Sequence, residues 1–82
     1  MPLSKAIKDR IVEVIESHEQ DEIDLGTVHV EDIIDDLNFI IECCNVQAPV
    51  YEECVRQVNK MYDDCVIDTE DRDYIISQLY SK

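Results

Sequence analysis

Val30-Glu31-Asp32-Ile33-Ile34-Asp35-Asp36-Leu37-Asn38-Phe39-Ile40-Ile41-Glu42-Cys43-Cys44 decides the fold. Its apolar positions Val30, Ile33, Ile34, Leu37, Ile40, Ile41 and Cys44 follow the 3.6-residue period of an amphipathic helix. Thr27 or His29 precedes it, and Asn45 suits its end, so the spacing predicts a helix over 29–44. Downstream, Tyr51, Cys54, Val55, Val58, Met61, Tyr62 and Cys65 fall at i, i+3, i+4, i+7, i+10, i+11 and i+14, which no strand tolerates. With Ala48-Pro49 in its first turn, this predicts a helix over 49–65.

Working outward, Ser4 is a good N-cap for a helix over 4–19 that carries Ile7, Ile11, Val14 and Ile15 on one side. Asp68 or Thr69 caps a last helix over 69–80, with Glu70, Asp71 and Asp73 near its positive end and Ile75, Ile76 and Leu79 as its apolar side. Glu19 to Gly26 holds acids and the only Gly. It reads as a connecting loop whose Ile23 and Leu25 tuck back onto the core.

The fold class expected is all-α, a small four-helix bundle of three long helices and one short. One Gly, two Pro and no Trp in 82 residues leave few breakers, and 45 % apolar content suits a packed chain. A single domain, 1–82, is expected, with Ile11, Ile15, Ile33, Leu37, Ile41, Val55, Val58 and Met61 in its core. So small a core is often extended by a second subunit, so a homodimer through Tyr51 or Tyr62 is compatible with it. Behind Met1 there is no apolar signal segment, and no apolar run approaches the ~18 residues of a membrane span. A cytoplasmic protein without membrane contact is expected.

Charge is the second strong signal. From Ile11 to Val55 there is no Lys or Arg, yet thirteen carboxylates; outside that window seven acids balance seven bases. The whole net charge of −13 sits on this stretch. In the helix over 29–44, Glu31–Asp35 and Asp32–Asp36 are like-charged i, i+4 pairs, each destabilising by roughly 0.2–0.5 kcal/mol. Part of that cost is offset because Glu31 and Asp32 lie at the positive end of the helix dipole. The next helix, by contrast, sets Glu52 four residues before Arg56. Asp21, Glu22, Asp24, Glu31, Asp32, Asp35 and Asp36 are therefore the candidate partner-binding residues. Asp32, Asp35 and Asp36 lie off the apolar stripe, so reversing their charge is expected to spare the fold.

Other chemistries find little support. Cys43, Cys44, Cys54 and Cys65 lack the Cys-x₂₋₄-Cys spacing of zinc sites, and with Cys54 and Cys65 on an apolar face they read as reduced packing residues. His18 and His29 read as surface groups inside the acidic window, eleven residues apart and unsuited to a metal pair. EF-hand registers from Asp21 or Asp68 fail at ligand positions. Asp24-Leu25-Gly26-Thr27-Val28-His29 resembles the Asp-Leu-Gly-x-Asp-Ser segment of acyl carrier proteins, but His29 replaces the serine that carries phosphopantetheine. No phosphate loop, serine elbow or basic surrounding for a reactive thiol is present, so no enzyme activity, catalytic residue, metal or cofactor is expected.

The expected function is that of a small acidic binding protein that inhibits or modulates a partner through a basic surface. Carboxylates at i and i+4 lie ~5–6 Å apart, a scale similar to phosphates along a nucleic-acid strand. An acidic helix could thus fill a groove built for a phosphate backbone, as DNA mimics and nuclease immunity proteins of similar size and charge do. The partner is then a protein, with no direct nucleic-acid binding. The alternative is a helical scaffolding subunit with apolar contacts, whose charge serves solubility.

Overall fold

The computed structural model describes residues 4–44 and 47–79. Four helices are formed: α1 (Lys5–Leu25), α2 (Val30–Glu42), α3 (Gln47–Asp63) and α4 (Thr69–Gln78), with no strand among the described residues. The four-helix architecture is that expected from the spacing of apolar residues.

The ends follow local chemistry. Ser4 caps α1 by accepting from the Ile7 N–H at 3.3 Å, and Asp68 caps α4 by accepting from Asp71 at 2.8 Å. His29 occupies the N-cap position of α2 without a side-chain capping bond. Pro49 is the third residue of α3, where its missing N–H removes no helical bond. Asn45, the expected end of the second helix, lies outside the described residues.

The main correction concerns 19–26, expected as a loop. α1 continues to Leu25 and stops at Gly26, whose φ of 77° lets its N–H reach the Glu22 carbonyl at 2.9 Å. Nothing before Gly26 breaks a helix, and Gln20 bonds Asp24 one turn on at 3.0 Å. Consequently Ile23 and Leu25 do not tuck inward. They are 72 % and 64 % exposed.

α2 and α3 each pack on all three other helices, whereas α1 and α4 do not touch. Ile11, Ile15, Ile33, Leu37, Ile41, Val58 and Met61 are buried as expected. The face of α3 is turned by about one position: Val50 and Cys54 are buried, while Val55, Tyr51 and Tyr62 are only half-buried. Ile67, Ile75 and Leu79 close the core from the α4 side. Asn38 of α2 donates to the Gln78 carbonyl at 3.1 Å, tying the end of α4 to the middle of α2.

Candidate functional site

The outer face of α2 exposes Glu31, Asp32, Asp35, Asp36, Phe39 and Glu42, while Ile33, Ile34, Leu37, Ile40 and Ile41 point inward. One amphipathic helix thereby sorts its carboxylates outward and its aliphatic groups inward. No Lys or Arg lies on it.

The seven predicted acids have different fates. His18 of α1, 6 % exposed, sets Nε2 3.0 Å from Asp36 Oδ2 and Nδ1 3.9 Å from Asp21 Oδ2. The imidazole thus brings Asp21 and Asp36 together from two helices. The second distance is too long for a hydrogen bond, and Nδ1 has no other partner. Glu31 accepts a 2.6 Å bond from the Tyr74 hydroxyl of α4, and that carboxylate raises the Tyr74 pKa. Asp24 is satisfied by Gln20 along α1. The side chains of Glu22, Asp32 and Asp35 have no hydrogen-bond or ion-pair partner among the described residues. Asp36 is consequently no mere surface acid, and its reversal is now expected to cost the fold something. A lysine there would leave the buried His18 beside a like charge or unpaired.

Four of the bases are engaged elsewhere. Arg10 sits 3.6 Å from Glu13, Lys5 3.1 Å from Asp9, and Arg72 pairs with Asp73 while its guanidinium lies 4.5 Å from the Tyr62 ring centroid. Arg56 pairs with the buried Glu53, not with Glu52. Burial pushes the Glu53 pKa up, but hydrogen bonds from Gln57 and Arg56 and the charges of Arg56 and Lys8 outweigh it and leave it lowered. Glu19 shows the opposite outcome: burial raises it, and Lys60 only partly offsets that.

The cysteines depart from the uniform packing role expected. Cys54 is buried, and burial first, then Glu53 and Cys44, push its pKa up to about 12. Cys44 is half-buried, donates to the Ile40 carbonyl, and is likewise raised by burial and by Cys43. Cys43 and Cys65 are exposed. Cys65 lies beyond α3 at φ 65°, in a Schellman turn closed by Val66 N–H to Met61 O at 2.9 Å and Cys65 N–H to Tyr62 O at 3.0 Å. Helix α3 had been expected to run through Cys65, but α3 ends two residues earlier, which removes that side chain from the stripe.

Depressions among the described residues include the following two. One, of about 230 Å³ between α1 and α2, is lined by Val14, Asp36, Phe39 and Ile40 beside the Arg10–Glu13 pair. A more open one, of about 630 Å³, lies at the α3–α4 turn, with Asp63, Asp68 and Asp71 but no cation in its lining. Among the described residues, no three His, Cys, Asp or Glu side chains converge as metal ligands, and no helix is long and apolar enough to cross a membrane.

Phe39 escaped the sequence reading, and His18, expected as a surface group, is buried, though both left a signal. His18 extends the Ile11, Val14, Ile15 series at i+7 and so belongs to the apolar side of α1. Phe39 is the large apolar residue of α2 that stands off its stripe. No family model, curated protein or solved structure matches the chain.

Proposed function

We propose that this protein is a non-enzymatic binding module that docks the acidic face of α2 on a basic surface of a partner protein and thereby inhibits or modulates it. The observation that carries this reading is the pair Asp32 and Asp35, exposed, one turn apart, and without a partner among the described residues. A stable helix has no use for unneutralised carboxylates beside Glu31 and Asp36, whereas a cationic surface does. A surface that evolved to bind a phosphate backbone meets that description, as in phage- or immunity-type inhibitors that mimic DNA. Asp21, Glu22 and Asp24 extend the negative field along the end of α1.

The test reverses only the acids that hold nothing else. Immobilised wild type and the Asp32→Lys/Asp35→Lys variant are exposed to extract of the source cell at low and high salt, and captured proteins are identified by mass spectrometry. Support is a partner held at low salt, released at high salt and lost by the variant, but kept by an Asp63→Lys/Asp64→Lys control. Retention by the first variant sinks the reading.

The second reading, an interaction subunit with apolar contacts, is favoured by Ile23 and Leu25, left exposed at the end of α1. A complex of that kind changes little with ionic strength, which separates the two.

A further inference from the structure

We infer that the acidic face is built around Phe39, and that its occupant is a protein segment carrying one large apolar side chain flanked by Lys or Arg. This rests on the acidic-face reading and specifies the partner's chemistry. Phe39 is 62 % exposed and stands one helical turn from Asp35 and Asp36, at i+4 and i+3. A lone exposed apolar residue on a surface is ordinary. An exposed aromatic ring set among carboxylates and lining a cleft is the pattern of an interface anchor.

The cleft supplies the complement. Val14 and Ile40 line it with Phe39, together with Glu13 and Asp36. Its volume of about 230 Å³ lies below the ~300–1,000 Å³ of small-molecule sites and suits a single side chain. The Phe39 ring also offers a face over which a guanidinium or ammonium is attracted, a few-fold gain in affinity at an exposed site. Charge decides among occupants. A nucleic-acid backbone is repelled by Asp32, Asp35 and Asp36. A second copy of this chain on the same face would set those carboxylates against their own equivalents, with Arg10 as the nearby cation, itself paired to Glu13. A basic segment with an apolar centre satisfies both the acids and the cleft.

The experiment uses two short synthetic peptides of identical Lys and Arg content, one with Leu and one with Ser at the centre. Each is titrated by fluorescence anisotropy at low and high salt against the wild type, Phe39→Ala and Asp32→Lys/Asp35→Lys. Expected is about tenfold tighter binding of the Leu peptide by the wild type. Phe39→Ala abolishes that difference while keeping the salt dependence, and Ser-peptide affinity falls by no more than the few-fold that the lost cation–ring attraction is worth. Phe39 is exposed, so equal thermal melting points show that the variant is folded, and Phe39→Met preserves part of the preference. Equal affinity for both peptides, or undiminished preference in Phe39→Ala, overturns this inference and leaves the acidic face standing. Indifference of Asp32→Lys/Asp35→Lys, or no binding of either peptide, overturns both. A change of sedimentation coefficient on Phe39→Ala makes the occupant a second copy and likewise overturns it.

Discussion

His18 of α1 and Asp36 of α2 meet across the helix interface, Nε2 to Oδ2 at 3.0 Å, with the imidazole buried and the carboxylate half in solvent. One acid of the exposed face thus also satisfies a buried nitrogen. Asp36→Ala should cost about 1–3 kcal/mol because a buried donor loses its acceptor. Asp35→Ala, one position away and unpartnered, should stay within about 0.5 kcal/mol. Urea unfolding of the single variants and of His18→Ala/Asp36→Ala checks this. Strict additivity in that cycle would deny the coupling.

Glu53 should contribute to the acid limit of the fold. Its folded pKa lies below the ordinary 4.5, so its contribution is present above that value and is lost as pH falls through the lowered one. Glu19, raised by burial, acts oppositely: its penalty disappears on protonation. Stability should therefore peak on the acidic side of neutrality and then collapse. Glu53→Gln should cost about 1–3 kcal/mol at pH 7 and flatten the acid limb of a Tm-versus-pH curve. An unchanged limb would contradict the assignment.

The two left-handed helix ends make reciprocal predictions. Cys65 pays for a β-carbon at φ 65°, so Cys65→Gly should stabilise by about 0.5–1 kcal/mol, the steric relief exceeding the added chain entropy of glycine. Gly26→Ala should destabilise by about 1 kcal/mol, purely through backbone conformation, since open space surrounds the position where its β-carbon would stand. Chemical denaturation measures both.

Thiol reactivity should fall into three classes. Cys43 and Cys65 should react rapidly with a chromogenic disulfide in the native protein, Cys44 slowly, and Cys54, with its pKa near 12, only on unfolding. Mass mapping of a timed alkylation assigns them. Early modification of Cys54 would show that the core opens at α3.

Screening should also matter. With −13 charges concentrated on α1, α2 and the start of α3, moderate salt should raise Tm, and Asp32→Lys/Asp35→Lys should hold or raise it at low salt. A fall in Tm for that variant would mean these acids serve the fold after all.

The helices were legible wherever side-chain period and cap agreed, as at Ser4, across Ile33 to Ile41, and at Asp68. Glu19 to Leu25 misled because charge density suggests a loop, although carboxylates do not break helices and only Gly26 does. The phase of α3 slipped because Glu53 counts as a surface residue until Arg56 and Gln57 are known to satisfy it, a tertiary fact. The acidic face was legible as a set. Its division into committed acids (Asp36, Glu31, Asp24) and free ones (Glu22, Asp32, Asp35) required His18, Tyr74 and Gln20 in place.

Every other helix packs against α2, and Asn38 ties its middle to the end of α4. The helix that displays the acids is therefore, like α3, held by all of the others. A partner meeting this face has no segment to order, so the entropic toll of association falls mainly on the partner's own side chains. Such an encounter is a rigid docking: its heat-capacity change should reflect only the area covered, without the larger signature of coupled folding.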